Sequence, residues 1–120
     1  MDQDERARRG MYVRRLATGL RMNGPVAADL PGWERPRAVG DGTGHVPDIE
    51  ARLGAMHCLV AVETAPSLAR PASGERWKAF SRWAGTPGRM FLLAVPAPRE
   101  KEARNLLGRL GIANAEIITV

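Results

Sequence analysis

Val46-Pro47-Asp48-Ile49-Glu50-Ala51-Arg52-Leu53-Gly54-Ala55-Met56-His57-Cys58-Leu59-Val60-Ala61-Val62-Glu63-Thr64 is the stretch on which the fold turns. Its first part, Val46 to Leu53, alternates. Ile49, Ala51 and Leu53 fall on one side of a strand; Asp48, Glu50 and Arg52 fall on the other. Its second part, Met56 to Thr64, is longer and more apolar. Gly54-Ala55 is so short a connection that the two strands pair antiparallel as a hairpin. Pro47-Asp48 opens the first strand and Glu63 ends the second, so two neighbouring strands each carry an acid.

Downstream, the pattern changes to alternating helix and strand. Ser73 reads as a helix N-cap with Arg76 at the third helical position, and Trp77, Phe80, Trp83 and Ala84 give the helix an apolar face. Gly85-Thr86-Pro87-Gly88 ends it. Met90-Phe91-Leu92-Leu93-Ala94-Val95 is a continuous apolar run, as in a strand covered on both faces. Pro98 suits the first turn of the next helix, whose stripe is Ala103, Leu106, Leu107 and Leu110, with Gly111 as its stop. Residues 115–120 form a short last strand at or next to a sheet edge.

Upstream, Asp4 to about Met22 reads as a helix, with Ala7, Met11, Leu16 and Leu20 at helical spacing and Asn23-Gly24-Pro25 as its stop. Residues 24–45 are irregular. Val26-Ala27-Ala28 is a short strand or a turn, and Arg35 to Val39 is a candidate first strand. Gly40-Asp41-Gly42-Thr43-Gly44 is a turn without the ending of a phosphate-binding loop. The fold class expected is α/β. A single mixed sheet, an antiparallel meander followed by strand-helix-strand-helix-strand, carries helices on both faces. The chain reads as one domain over 1–120, with an N-terminal helix at 1–23 and a core at 46–120.

Composition narrows the function classes. No apolar run approaches the roughly 18 residues that span a bilayer, and the acidic start lacks a signal peptide's apolar region, so the expectation is a cytoplasmic protein without a membrane partner. The single cysteine, Cys58, lies in an apolar run and makes no internal disulfide; no disulfide-linked partner and no zinc spacing is expected. The formal net charge of +5 comes almost wholly from arginine, which favours anionic partners such as nucleic acid. A GC-rich genome produces the same bias, so charge is weak support.

Asp48 and Glu63 are candidate metal ligands, with Glu50 on the face of Asp48 as a third. Magnesium takes hard oxygen ligands, usually one or two carboxylates, with waters and a substrate phosphate completing the shell. The structural alternatives are an aspartate that merely opens a strand after proline, a glutamate that caps a turn or pairs with an arginine, and a solvated Glu50.

Pro47-Asp48, the hairpin, Val62-Glu63-Thr64-Ala65 and the order of elements resemble the PD-(D/E)XK phosphodiesterase superfamily, the restriction-endonuclease-like fold. The resemblance covers nearly the whole chain in topology, and its motif covers a few residues. It implies a nuclease-like domain that hydrolyses nucleic-acid phosphodiesters with magnesium (Mg) or manganese (Mn) held by Asp48 and Glu63. The motif is incomplete. If Glu63 matches the second acid, Ala65 stands in place of the catalytic lysine; if Glu63 stands at the lysine position, Ala61 replaces the acid. Arg76 and Phe80 have the spacing of a glutamine and tyrosine carried by several branches. Lys78 is a candidate for a migrated catalytic lysine, although Arg76 and Lys78 do not face the same way on a helix and at most one reaches the acids. Arg8 and Arg15, with Arg6, Arg9 and Arg14, are candidate phosphate contacts beside Arg76, as are exposed tryptophans for base stacking. The alternative reading is a catalytically inactive nucleic-acid-binding or protein-interaction module on the same fold.

Overall fold

The computed structural model describes residues 2–40 and 42–120. In chain order the elements are α1 (Gln3–Arg21), β1 (Val26–Ala28), β2 (Ile49–Leu53), β3 (Met56–Val62), the one-turn α2 (Ala65–Leu68), α3 (Pro71–Trp83), β4 (Arg89–Val95), a 3-10 turn (Ala97–Arg99), α4 (Glu100–Arg109) and β5 (Ala115–Thr119). The five strands form one mixed open sheet in the order β1-β2-β3-β4-β5. The first three run antiparallel, with Ile49 opposite Val60 and Leu53 opposite Met56; β3, β4 and β5 run parallel. The meander and the strand-helix alternation expected from the sequence are both present.

Two cores lie on the two faces. On one, Leu59, Ala61, Phe91, Leu93 and Val95 pack against Trp77, Ala79 and Phe80 of α3 and Ala103 and Leu107 of α4. On the other, Ile49, Val60, Val62, Leu92 and Ala94 pack against Val13 and Ala17 of α1. Alternation along β3 and β4 therefore feeds both layers, which is why these strands read as unbroken apolar runs. Trp77 and Phe80 are essentially fully buried. Each such side chain contributes roughly 1.5–3 kcal/mol on burial, which fixes α3 against the sheet.

Several local expectations need correction. The first strand is Val26–Ala28; residues 35–39 are irregular, because Pro36 supplies no ladder donor and Val39 N–H instead donates to His45 O at 2.9 Å. The turn expected over 40–44 includes Asp41, which lies outside the described residues. Ala65 to Leu68 is a turn of helix with Thr64 as N-cap and Ser67 returning the capping bond. Helix α3 starts at Pro71, two residues before Ser73, since proline is pre-set for a first helical turn. The buried stripe of α1 is Glu5, Val13 and Ala17, flanked by Tyr12, Leu16 and Leu20, whereas Met11 is half exposed. Glu5, Arg9, Val13 and Ala17 follow one another at intervals of four, so one face of α1 presents two charges and two small apolar groups to the sheet.

Candidate functional site

Asp48 precedes β2 and is held on all sides by backbone. Its N–H donates to Val60 O at 3.0 Å, its carbonyl accepts from Asp29 N–H at 2.9 Å, and its Oδ2 accepts from Val62 N–H at 2.6 Å. Only 2% of the residue is exposed. Its Oδ1 receives two guanidinium groups, Arg9 from α1 and Arg76 from α3, the latter at 3.3 Å. These helices cover opposite faces of the sheet, so Asp48 sits at the end of the sheet where both layers meet.

Glu63 follows β3 and is equally buried. An ionised carboxylate there needs partners, and the turn into α2 and α3 supplies them. Ser67 Oγ donates to Oε1 at 2.6 Å, Ser73 Oγ lies 3.2 Å from the same oxygen, and Trp77 Nε1 donates to Oε2 at 3.0 Å. Arg76 Nη1 stands 3.8 Å from Oε2. The serine expected as a helix cap thus serves the buried acid.

Arg76 therefore bridges the two acids that open and close the hairpin. Burial pushes the guanidinium groups of Arg76 and Arg9 down from the usual arginine value, and in Arg9 the neighbouring Arg76 charge adds to the effect. Both stay cationic, since arginine does not lose its proton in proteins. Arg9 also lies 3.9 Å from Asp29, which Arg35 pairs with. The result is an alternating chain of charge, Asp29, Arg9, Asp48, Arg76 and Glu63. Along it lies an open cleft of about 390 Å³ lined by Arg9, Asp29, Arg35, Val46, Asp48 and Arg76.

The donor set does not fit a magnesium ion. Such an ion keeps several waters and needs carboxylate oxygens free to meet it. The oxygens of Glu63 accept from Ser67, Ser73 and Trp77 with Arg76 alongside, and Oδ1 of Asp48 already faces two arginines. Glu50 does not join them: its Oε2 is 2.6 Å from His57 Nε2, and its Oε1 accepts from Arg37 N–H at 3.3 Å. Among the described residues no group of three or more His, Cys, Asp or Glu side chains is placed to hold a metal.

Of the positive groups considered, Arg76 reaches the acids and Lys78 does not. Lys78 Nζ pairs with Glu75 at 3.2 Å on the outer side of α3. Arg8 and Arg15 are exposed on the outer side of α1, away from the cleft. The arginine of this helix that matters is Arg9. Its signal was its place four residues after Glu5 and four before Val13, on the stripe that docks. Glu5 was also missed: its carboxylate is clasped by Arg70 at 2.6 and 2.8 Å and accepts from Thr64 Oγ1 at 3.0 Å. The Arg70 guanidinium holds the Glu5 carboxyl below the usual glutamate value, against the opposing effect of burial. Burial likewise raises the Cys58 thiol, which fits a packed side chain and not a reactive one. No helix is long and apolar enough to cross a membrane among the described residues. Comparison with family models, curated proteins and solved structures found no match to this chain.

Proposed function

We propose that this chain is a restriction-endonuclease-like domain that binds nucleic acid and does not cleave it. The observation that carries the reading is Arg76, whose guanidinium meets both Asp48 and Glu63 where the resemblance would have those acids share a metal. A fixed guanidinium neutralises the acid pair and leaves no free carboxylate edge to assemble an attacking hydroxide. The strand order, the hairpin with its two acids and the basic charge of +5 support the nuclease-like ancestry and a polyanionic partner. Nucleic-acid binding of this kind is carried by phosphate contacts and weakens as salt rises.

Metal-dependent hydrolysis, with Arg76 as the positive group, is the second reading; Asp48 lining an open cleft is what favours it. One experiment separates the two. Labelled DNA and RNA, single- and double-stranded, are incubated with the protein and magnesium or manganese, and binding and strand integrity are followed together. The expected result is salt-sensitive binding with intact strands. Metal-dependent cleavage that disappears in Asp48→Ala establishes the second reading. Absence of binding to every nucleic acid at low salt removes both and leaves a protein-interaction module.

A further inference from the structure

Arginines in the acid-bearing cleft are engaged with carboxylates of their own chain. Arg9 and Arg76 meet Asp48, and Arg35 meets Asp29. A neighbouring groove differs. It has a volume of about 450 Å³, runs along the β1–β2 edge, and is lined by Arg21, Arg35, Arg37 and Arg52 against Glu34 and Glu50. Arg35 lines both, so the groove continues the cleft. Glu50 is already engaged with His57 and with Arg37. Arg21 and Arg52 have no carboxylate within ion-pairing distance among the described residues.

The Arg21 guanidinium and the Arg52 backbone are each held in place. The Arg21 guanidinium stands 3.6 Å over the Trp33 ring. A cation over the ring face is held there by the ring's quadrupole, and an arginine so placed that meets no carboxylate has its fork of N–H donors available to phosphate. The Arg52 backbone is fixed, with the side chain exposed beyond it: its N–H donates to Pro25 O at 3.0 Å, and its carbonyl lies so close to Gly24 that an added Cβ would sit 2.0 Å from the oxygen. This close approach brings the end of α1, and Arg21 with it, against β2.

We propose that this groove is the nucleic-acid contact surface, with Arg21 and Arg52 each binding a backbone phosphate without regard to base sequence. The inference rests on the nucleic-acid reading above and adds where the strand lies. The test is a fluorescence-anisotropy titration of labelled oligothymidylate and oligoadenylate over a series of salt concentrations. Three proteins are compared: the unmodified chain, R21Q/R52Q, and R104Q/R109Q, which removes the same two charges from α4. Single-strand binding loses a salt slope of about 0.7 per phosphate contact, so R21Q/R52Q should flatten the slope by about 1.4. Over the twentyfold range from 1 M to 0.05 M salt that is an affinity loss of roughly 60-fold at the low-salt end. R104Q/R109Q should bind like the unmodified chain, as should oligoadenylate like oligothymidylate. Binding by R21Q/R52Q equal to that of R104Q/R109Q overturns the groove and leaves the nucleic-acid reading standing. A strong preference between the two oligonucleotides overturns the phosphate-only contact. Failure of the unmodified chain to bind either overturns the groove proposal; only failure to bind double-stranded DNA and RNA as well overturns the nucleic-acid reading on which it rests. All four substituted arginines are exposed, so each variant is expected to melt like the parent, and a melt of each confirms it.

Discussion

Asp48→Ala removes the anion on which the two layers of the protein meet. The Val62 N–H then loses its acceptor at 2.6 Å inside the fold, a loss of about 1–3 kcal/mol. Arg9 and Arg76, whose side chains are only 20% and 23% exposed, then face each other without the intervening charge. Breaking a buried ion pair costs about 3–5 kcal/mol. Both arginines keep some solvent and other partners, Asp29 at 3.9 Å for one, Glu63 at 3.8 Å and Val46 O at 2.9 Å for the other, so the total belongs at the low end. We expect about 3 kcal/mol. For 120 residues the unfolding entropy is about 0.25 kcal/mol per kelvin, so Tm should fall by about 12 °C, read by calorimetry at neutral pH and low salt. Asp48→Asn keeps an acceptor for Val62 and should lose less. An unchanged or raised Tm for Asp48→Ala refutes the reasoning: it is the behaviour of a catalytic acid held in place at a cost in stability, whose removal relieves the fold.

Glu63→Gln turns one carboxylate oxygen into a donor facing the hydroxyls of Ser67 and Ser73 or the Trp77 indole; it should lower stability by about 2 kcal/mol and shift tryptophan fluorescence, and an unchanged denaturation midpoint counts against the saturated site. Gly24→Ala places a methyl group against the Arg52 carbonyl and should destabilise by about 2 kcal/mol, seen as a Tm lower by about 8 °C; wild-type stability would show that the Gly24–Arg52 approach is not tight. The folded-state pKa of Glu5 is depressed, so its contribution is present above the unfolded value of about 4.3 and is lost as pH falls through the lower folded value. The stability difference between the wild type and Glu5→Gln should be constant near neutrality and shrink below about pH 4; a constant difference through the acid range removes the Glu5–Arg70 pair as its source.

What was legible followed the strength of periodicity. The hairpin, the strand of Met90 to Val95 and the stripe of Ala103, Leu106, Leu107 and Leu110 repeat at two or at three to four residues, and burial enforces the same repeat. Arg35 to Val39 misled because it is a short segment set between turn signals, while Pro36 and the want of a partner strand keep it out of the sheet. Ser73 misled because Pro71 fixes the helix start, which local hydroxyl chemistry cannot override. At the site, Asp48 and Glu63 were visible because acids are conspicuous at strand ends. Their neutralisation was not, because it depends on long-range geometry: Arg9 and Arg76 reach Asp48 from far along the chain on either side. On α1 the docking face reads as charged at Glu5 and Arg9 and as small at Val13 and Ala17, so a search for large apolar residues selected the exposed Met11.

Glu5 and Arg9 wait for partners made much later. In chain order α1 precedes the sheet, yet Arg70 lies 65 positions beyond Glu5, and Asp48 and Arg76 also follow far behind. Most of a helix's stability in a protein comes from packing its buried face, and the face of α1 that docks offers two charges and two small side chains. The sheet must therefore exist before α1 can settle, although α1 is made ahead of it. Until it does, Asp48 lacks one of its two guanidinium partners, so the charge chain at the end of the sheet is completed only with the final docking event.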